Sequence, residues 1–419
     1  MKKIELEKRR PEIQVMHFKR NDEGMEKIKL EKRRPEIQVM HFKRNDGGIK
    51  KTEIEKEPPQ SQAISFKRTD ECVKSSLFFF LRNEELILWD YENHSQYKLD
   101  KPYIDRLVEI ASGEAIVEDD ITRHLREEGL LVKGEEETRE WEWDELSWIF
   151  HQGTKNLPRL ESNTSHWFEA YLQNCEGKPS PKETSSSSKG EAISLSPVDK
   201  QLLESKSLYE VCQQRMTSRA FSGEKINFEV FSSLIGATFA YSPAPWGKNE
   251  NYEVYAKHKV SPSAGGLHPF DFYIMVHHVE NLDPGIYKYD PQAHCIYPFA
   301  KGDFRDQLVH SLGGQNFVKA LSFGVFFVAD FSKVWWKYEH SRAYRQVLLD
   351  AGHQSQTFLL LATSLGLLTW PTGAIQDAEV EKLLKIESDK FSPIFFVGIG
   401  TGKPNSFNEE IISILKSNR

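Results

Sequence analysis

Residues 335–367 read WWKYEHSRAYRQVLLDAGHQSQTFLLLATSLGL. Within them Tyr344, Val347, Leu348, Ala351, Ser355, Phe358, Leu359, Ala362 and Leu365 recur at intervals of three and four. Only a helix gathers such positions into one stripe. An apolar helix this long predicts a sizeable core around it. Gly352 lies in its middle, where glycine costs roughly 1 kcal/mol against alanine, so another element is expected to pack closely there. His353 beside it reads as a core histidine more readily than as a catalyst. Just ahead of the helix stand Lys337 and Tyr338, flanked by Trp335 and Trp336. Burial among such rings lowers a lysine's pKa toward values useful to a base.

The same half of the chain holds three further constellations. In QQRMTSRAF, Arg215, Thr217 and Arg219 alternate after the helix-like SLYEVCQQ. Two forked guanidiniums and a hydroxyl could grip a phosphate, although a solvated pair of arginines fits the spacing as well. In KVSPSAGGLHPFDFYIMV, the small residues Pro262, Ser263, Ala264, Gly265 and Gly266 feed a strand over 272–276. Missing Cβ atoms would admit a flat ligand close to the backbone, and a tight structural turn is the alternative. The loop is neither GxGxxG nor a P-loop, so it does not imply a dinucleotide or a nucleoside triphosphate. Finally, WPTGAIQD (370–377) is a glycine-bearing loop, and FFVGIGTGKP (395–404) is an apolar strand that ends in glycines followed by Lys403.

The N-terminal half differs in texture. Residues 3–22 recur at 27–46 with one change, and a third, worn copy ends in FKRTD at 66–70. These charged copies carry too little apolar surface to offset ordering entropy, so disorder is expected over 1–50. Residues 51–134 predict a small winged-helix-like domain: a hairpin split at Arg82-Asn83-Glu84-Glu85, a Pro-initiated helix ending at Gly113, a second helix ending at Gly129, and a strand. The second helix is acidic at both ends and would repel phosphate, so a peptide is a better partner than nucleic acid. Residues 135–175 are helical and aromatic, a connecting region or part of a second small domain, read as docking on the larger one. A Ser/Pro-rich linker is expected at 176–198, the large domain at 199–405 and a helical tail at 406–419.

Four widely spaced cysteines offer no zinc or disulfide pattern, and no metal site is expected. With a net charge of −7, no apolar leader and no long uncharged apolar run, the chain is expected in the cytoplasm and off the membrane.

Taken in order, R-x-T-x-R-x-F, PSAGG, K-Y, YR, D-x-G-H, T-G-A and V-G-x-G resemble the FMN-dependent nitroreductase fold. Within it they are similar to the SagB-type peptide dehydrogenases, which include the cyanobactin thiazoline/oxazoline oxidases. The resemblance covers 199–405 and implies an α+β domain, a mainly antiparallel sheet with flanking helices. It implies FMN held by Arg215, Thr217 and Arg219, with Met216 where a second arginine is common. Pro262, Ser263, Ala264, Gly265 and Gly266 would lie along the isoalloxazine, with Lys259 where arginine is usual. Gly373 and Ala374 would offer a backbone N–H to the flavin, and Lys403 would sit near its phosphate. Lys337 and Tyr338 match the catalytic pair of azoline dehydrogenases, oxidising thiazolines or oxazolines in a modified peptide. A homodimer and association with a cyclodehydratase of the same pathway are implied. The competing expectations are an NAD(P)H-dependent nitro or quinone reductase and a non-catalytic peptide-binding scaffold.

Overall fold

The computed structural model describes residues 13–16, 20–21, 24–25, 71–133, 141–155, 191–242, 258–335, 337–338, 340–387, 389–405, 407, 412–414 and 416. Most of the repeats, much of the expected linker and tail, and Trp336 lie outside the described residues. The chain divides into two units, 1–155 and 156–419.

In the first unit, β1 (Ile13–Met16), β3 (Leu77–Arg82), β4 (Glu85–Asp90) and β5 (Ser95–Leu99) form an antiparallel sheet in the order β1-β5-β4-β3. The β3–β4 turn places Asn83 and Glu84 at φ 49° and 65°. Two left-handed residues in a two-residue loop match the twist of the strands they join. β2 (Glu71–Val73) pairs with β6 (Leu131–Lys133), bracketing α1 (Lys101–Ala111) and α2 (Asp120–Glu127). Leu88, Tyr97, Leu99, Tyr103, Leu107 and Leu125 close the core beneath these helices. The aromatic segment forms α3 (Glu145–Gly153), which has contacts within the first unit. Its Trp148 Nε1 donates to the Tyr91 hydroxyl at 2.9 Å, and Gly153 abuts Tyr91. The helix is anchored within this first unit.

The second unit is built on one seven-stranded antiparallel sheet. Its strands are β7 (Ile193–Ser194), β8 (Phe270–Val276), β9 (Gly285–Asp290), β10 (Cys295–Lys301), β11 (Phe323–Asp330), β12 (Leu368–Thr372) and β13 (Phe391–Gly400), in the order β12-β13-β11-β8-β9-β10-β7. Side chains alternate across a strand. Phe272, Ile274, Val325 and Phe327 therefore join one core, while Tyr273, Met275, Phe326 and Val328 join another. Both faces are covered, so β11 is buried at every position and reads as an unbroken apolar run. On the first face lie α5 (Phe228–Phe239) and the long helix α8 (Arg342–Ser364); on the second lie α6 (Arg305–Ser311) and α9 (Asp377–Leu384). Between β11 and α8 comes one short turn of helix, α7 (Ser332–Trp335).

Three sequence expectations change here. The domain starts before residue 199, because Ile193–Ser194 pairs with β10 and Leu195 is buried in the first core. Tyr344 and Leu348, assigned to the buried stripe of α8, are exposed; Asp350 and Gln354 occupy that face instead. A Cβ on Gly352 would meet nothing within 4 Å, so no described element of this chain packs there, and His353 is exposed. Among the described residues no helix is long and apolar enough to cross a membrane.

Candidate functional site

A capping box between Ser207 and Glu210 starts α4 (Leu208–Gln214), and the chain leaves that helix at Arg215 in extended geometry. Residues 216–220 then thread between two parts of the sheet. Thr217 bridges Thr369 of β12, and Ser218 N–H donates to Thr369 O at 2.8 Å. Arg219 N–H donates to Asn405 O at 2.9 Å, and Lys403 N–H donates to Ala220 O at 3.2 Å. Ser218 is fully buried and its hydroxyl donates to Asn405 O at 3.0 Å. The backbone of residues 217–220 is thus held between Thr369 and the segment 403–405.

The PSAGG loop is pinned to α8. Ser263 Oγ donates to Asp350 Oδ2 at 2.5 Å, Ala264 N–H donates to the same carboxylate at 3.2 Å, and Ser261 Oγ donates to Thr357 Oγ1 at 2.7 Å. Asp350 is buried, and burial pushes its carboxyl above the ordinary range despite the Ser263 and Ala264 hydrogen bonds. Neither Asp350 nor Thr357 was predicted as a site residue. The available signal was a carboxylate on the inward stripe of an apolar helix, which demands polar partners. The loop then turns through Gly265 and Gly266 at φ 60° and 66°.

Against this turn lie the two residues 72 and 73 positions further on. Lys337 Nζ donates to Gly265 O at 3.0 Å and stands 5.7 Å from the centre of the Tyr338 ring. An ideal Cβ built on Gly265 would fall 2.5 Å from Tyr338 Oη and 2.6 Å from Lys337 Nζ. Only glycine leaves both groups where they are. The N–H groups of Lys337 and Tyr338 both donate to Val334 O, at 3.1 and 2.9 Å, so the pair hangs from α7.

That short helix is itself fixed at its base. Asp330 accepts from Ser332 N and Oγ at 3.0 and 2.5 Å. Lys333 Nζ donates to Asp271 Oδ1 of β8 at 2.8 Å, and Lys288 of β9 binds Asp271 Oδ2 at 2.7 Å. Burial alone would raise the Asp271 carboxyl, but the charges of Lys333 and Lys288 outweigh it and hold the group down to about 2. This buried triad also escaped prediction, because Asp271 sits inside what reads as an ordinary apolar strand.

Two predicted groups fall less directly into place. Gly373 and Ala374 are exposed at the end of β12, about 13 Å along the strand from Thr369 at ~3.3 Å per residue. The Ala374 N–H donates to Thr372 Oγ1 at 3.0 Å. Lys259 is buried, its Nζ 4.6 Å from the Tyr241 ring centre and 5.3 Å from that of Phe272. The structure therefore brings Gly265 against Lys337 and Tyr338, and separately joins the backbone at Arg219 and Ala220 to that at Lys403 and Asn405.

The nitroreductase family model matches residues 212–401. A nitroreductase of Methanocaldococcus jannaschii is 32% identical over 142 residues, 34% of this chain and 70% of that protein. The trifolitoxin operon protein TfxC of Rhizobium leguminosarum is 23% identical over 62% of this chain and 73% of its own length. The microcin B17-processing protein McbC of Escherichia coli is 24% identical over 41% of this chain and 60% of its own. The antiparallel sheet with helices on both faces, the motifs in their order and these similarities agree: the chain belongs to the nitroreductase family.

Proposed function

We propose that this protein is an FMN-dependent dehydrogenase that oxidises thiazolines or oxazolines in a modified peptide to thiazoles or oxazoles. The observation that carries the proposal is the Lys337–Tyr338 pair seated on Gly265. It places an amine and a phenol beside a loop of small residues, where a flat ring system can approach the backbone. Similarity to a trifolitoxin operon protein and a microcin-processing protein supports a peptide substrate for this chain as well.

Folds of this family bind FMN, and the residues here fit that group. Arg215, Thr217 and Arg219 alternate along a segment whose backbone is joined to that of 403–405, and together they would make a donor set suited to a phosphate. Pro262–Gly266 and Gly373–Ala374 would border the ring system. The chemistry that bound FMN supplies is acceptance of a hydride, with the electrons passed on to dioxygen.

The remaining chemistry belongs to the chain. Aromatising an azoline removes one proton and one hydride from adjacent ring atoms. We assign the proton to Lys337. A neutral amine that keeps one N–H on Gly265 O still offers its lone pair to a proton. Tyr338, on the same short turn, positions Lys337 or relays its proton outward. The Asp271–Lys333 pair holds α7, and through Val334 O it fixes where both side chains start.

A homodimer accompanies this reading. Leu348 and Leu349 are exposed along α8 beside the open Gly352, a face that a second copy would bury. Association with a cyclodehydratase, which would supply the azoline, belongs to the same proposal, as does a cytoplasmic site. The N-terminal unit would recognise the peptide as a winged-helix-like module.

The similarity to the M. jannaschii protein favours a second reading, an NAD(P)H-dependent reductase. Aerobic incubation with a thiazoline peptide separates the two. A mass loss of two hydrogen atoms per ring supports the dehydrogenase. An intact peptide together with rapid consumption of NADPH supports the reductase.

A further inference from the structure

We infer that the pocket beside Tyr338 is a subsite for a bulky apolar side chain, preferably aromatic, on the peptide residue that flanks the ring to be oxidised. The inference rests on the dehydrogenase reading.

The pocket has a volume of about 510 Å³ and is formed between α7 and the first turns of α8. One wall is a pair of stacked rings, Phe331 and Tyr344, with centres 5.3 Å apart and planes 22° from parallel. Val334, Ala343 and Val347 add aliphatic surface, and Tyr338 and the half-exposed Trp335 line it as well. Among the described residues the lining carries no lysine, arginine, aspartate or glutamate. A phosphate or a charged side chain would lose its hydration there without a partner, whereas an aromatic ring would gain both area and ring contacts. Volumes of this order, with apolar walls and few polar groups, are those of preformed ligand sites.

Two features tie the pocket to a peptide rather than to a free hydrophobe. Tyr338 belongs both to the pocket wall and to the pair on Gly265, and Lys337 Nζ is only 5.7 Å from its ring centre. A group packed on that ring therefore lies roughly one residue, ~3.8 Å from Cα to Cα, from a group within reach of the amine. In addition, His340 lines the pocket with its Nδ1 buried and without a hydrogen-bond partner. Burial and the neighbouring Arg342 lower the pKa of this imidazole and so favour its neutral form, and the unpaired nitrogen is a candidate partner for a peptide group. Apolar walls with one orphaned polar atom suit a side chain still attached to its backbone.

The test uses full-length protein loaded with FMN and peptides that carry a single thiazoline, flanked on either side in turn by Phe, Leu, Ala or Asp. The expected result is a kcat/KM for the Phe-flanked peptide about ten- to a hundredfold above that for the Ala-flanked one, with Asp poorest. Filling the pocket by Ala343→Phe, or by Ser341→Trp at its exposed rim should the first variant fold poorly, is expected to bring the Phe-to-Ala ratio close to one. No flank preference in the wild type, or an unchanged ratio in both filled variants, would overturn the inference. Fluorescence anisotropy with labelled peptides already containing the thiazole gives a second readout that needs no turnover. If the wild type oxidises none of the peptides but binds the Phe-flanked product more tightly, and a filled variant does not, the subsite stands and the dehydrogenase reading falls. Equal binding of all flanks removes the subsite whatever the turnover.

Discussion

Substituting Gly265→Ala separates folding from catalysis because the atoms nearest to the new methyl group belong to the two proposed reactive side chains. Its Cβ would stand 2.5 Å from Tyr338 Oη and 2.6 Å from Lys337 Nζ. Non-bonded heavy atoms prefer ~3.5 Å or more, so both groups must retreat by about 1 Å. For the scaffold this is cheap: the lysine end is flexible, and the main penalty is alanine at φ 60°, roughly 1–2 kcal/mol. For a proton transfer it is expensive, since a displacement of about 1 Å can cost ~100-fold in rate. Urea unfolding, flavin content and turnover of a thiazoline peptide should be measured on the same preparation. The expected outcome is a stability loss of about 1–2 kcal/mol, flavin retained, and turnover down by about two orders of magnitude. Turnover within a few-fold of wild type would show that Lys337 and Tyr338 need not stand where they do, and the mechanism would fail with it.

Other perturbations have equally definite outcomes. Asp271→Asn removes the buried carboxylate charge that Lys288 and Lys333 share, and a loss of about 3–5 kcal/mol is expected in a denaturant titration; a loss under ~1 kcal/mol would mean the triad does not anchor α7. His277 is buried with neither ring nitrogen hydrogen-bonded, and its pKa is lowered to about 4 by burial and by the neighbouring His278. The unfolded chain therefore binds the extra proton first, so stability should rise with pH between about 4 and 6.5, by about 3 kcal/mol at most. His277→Leu should flatten that part of the profile, and a profile unchanged by the substitution would assign the acid sensitivity elsewhere. Leu349→Glu on the exposed face of α8 should convert a dimer to a monomer in sedimentation, whereas an unaltered dimer would place the interface on another surface.

What the sequence made legible was local. The turn at Asn83-Glu84, the Pro-led start of α1 and its end before Gly113, and the helical period of α8 are each set by a few adjacent residues. The contacts that build the site are different in kind. Asp350 meets Ser263 across 87 positions, and Lys337 meets Gly265 across 72. No periodicity encodes such pairings, although the motifs themselves contain Lys337, Gly265 and Asp350. Asp271 was invisible for a related reason: a strand covered on both faces is apolar throughout, and one carboxylate in it reads as an edge position until its two lysines are seen. Gly352 shows the opposite failure. The glycine was correctly singled out, but the close packing it suggested is absent from the described residues of this chain. A face open in one chain can be closed by a second copy, and a single sequence does not distinguish those cases.

The most direct test of the central proposal is a single-turnover experiment without dioxygen. Purified protein with its flavin oxidised is mixed with a thiazoline peptide, and the visible flavin band and the peptide mass are followed together. The dehydrogenase reading predicts bleaching matched one-to-one by thiazole formed, recovery of the band on admitting air, and neither event in Lys337→Ala despite retained flavin. A band that persists with the peptide yet vanishes with NADPH would contradict it.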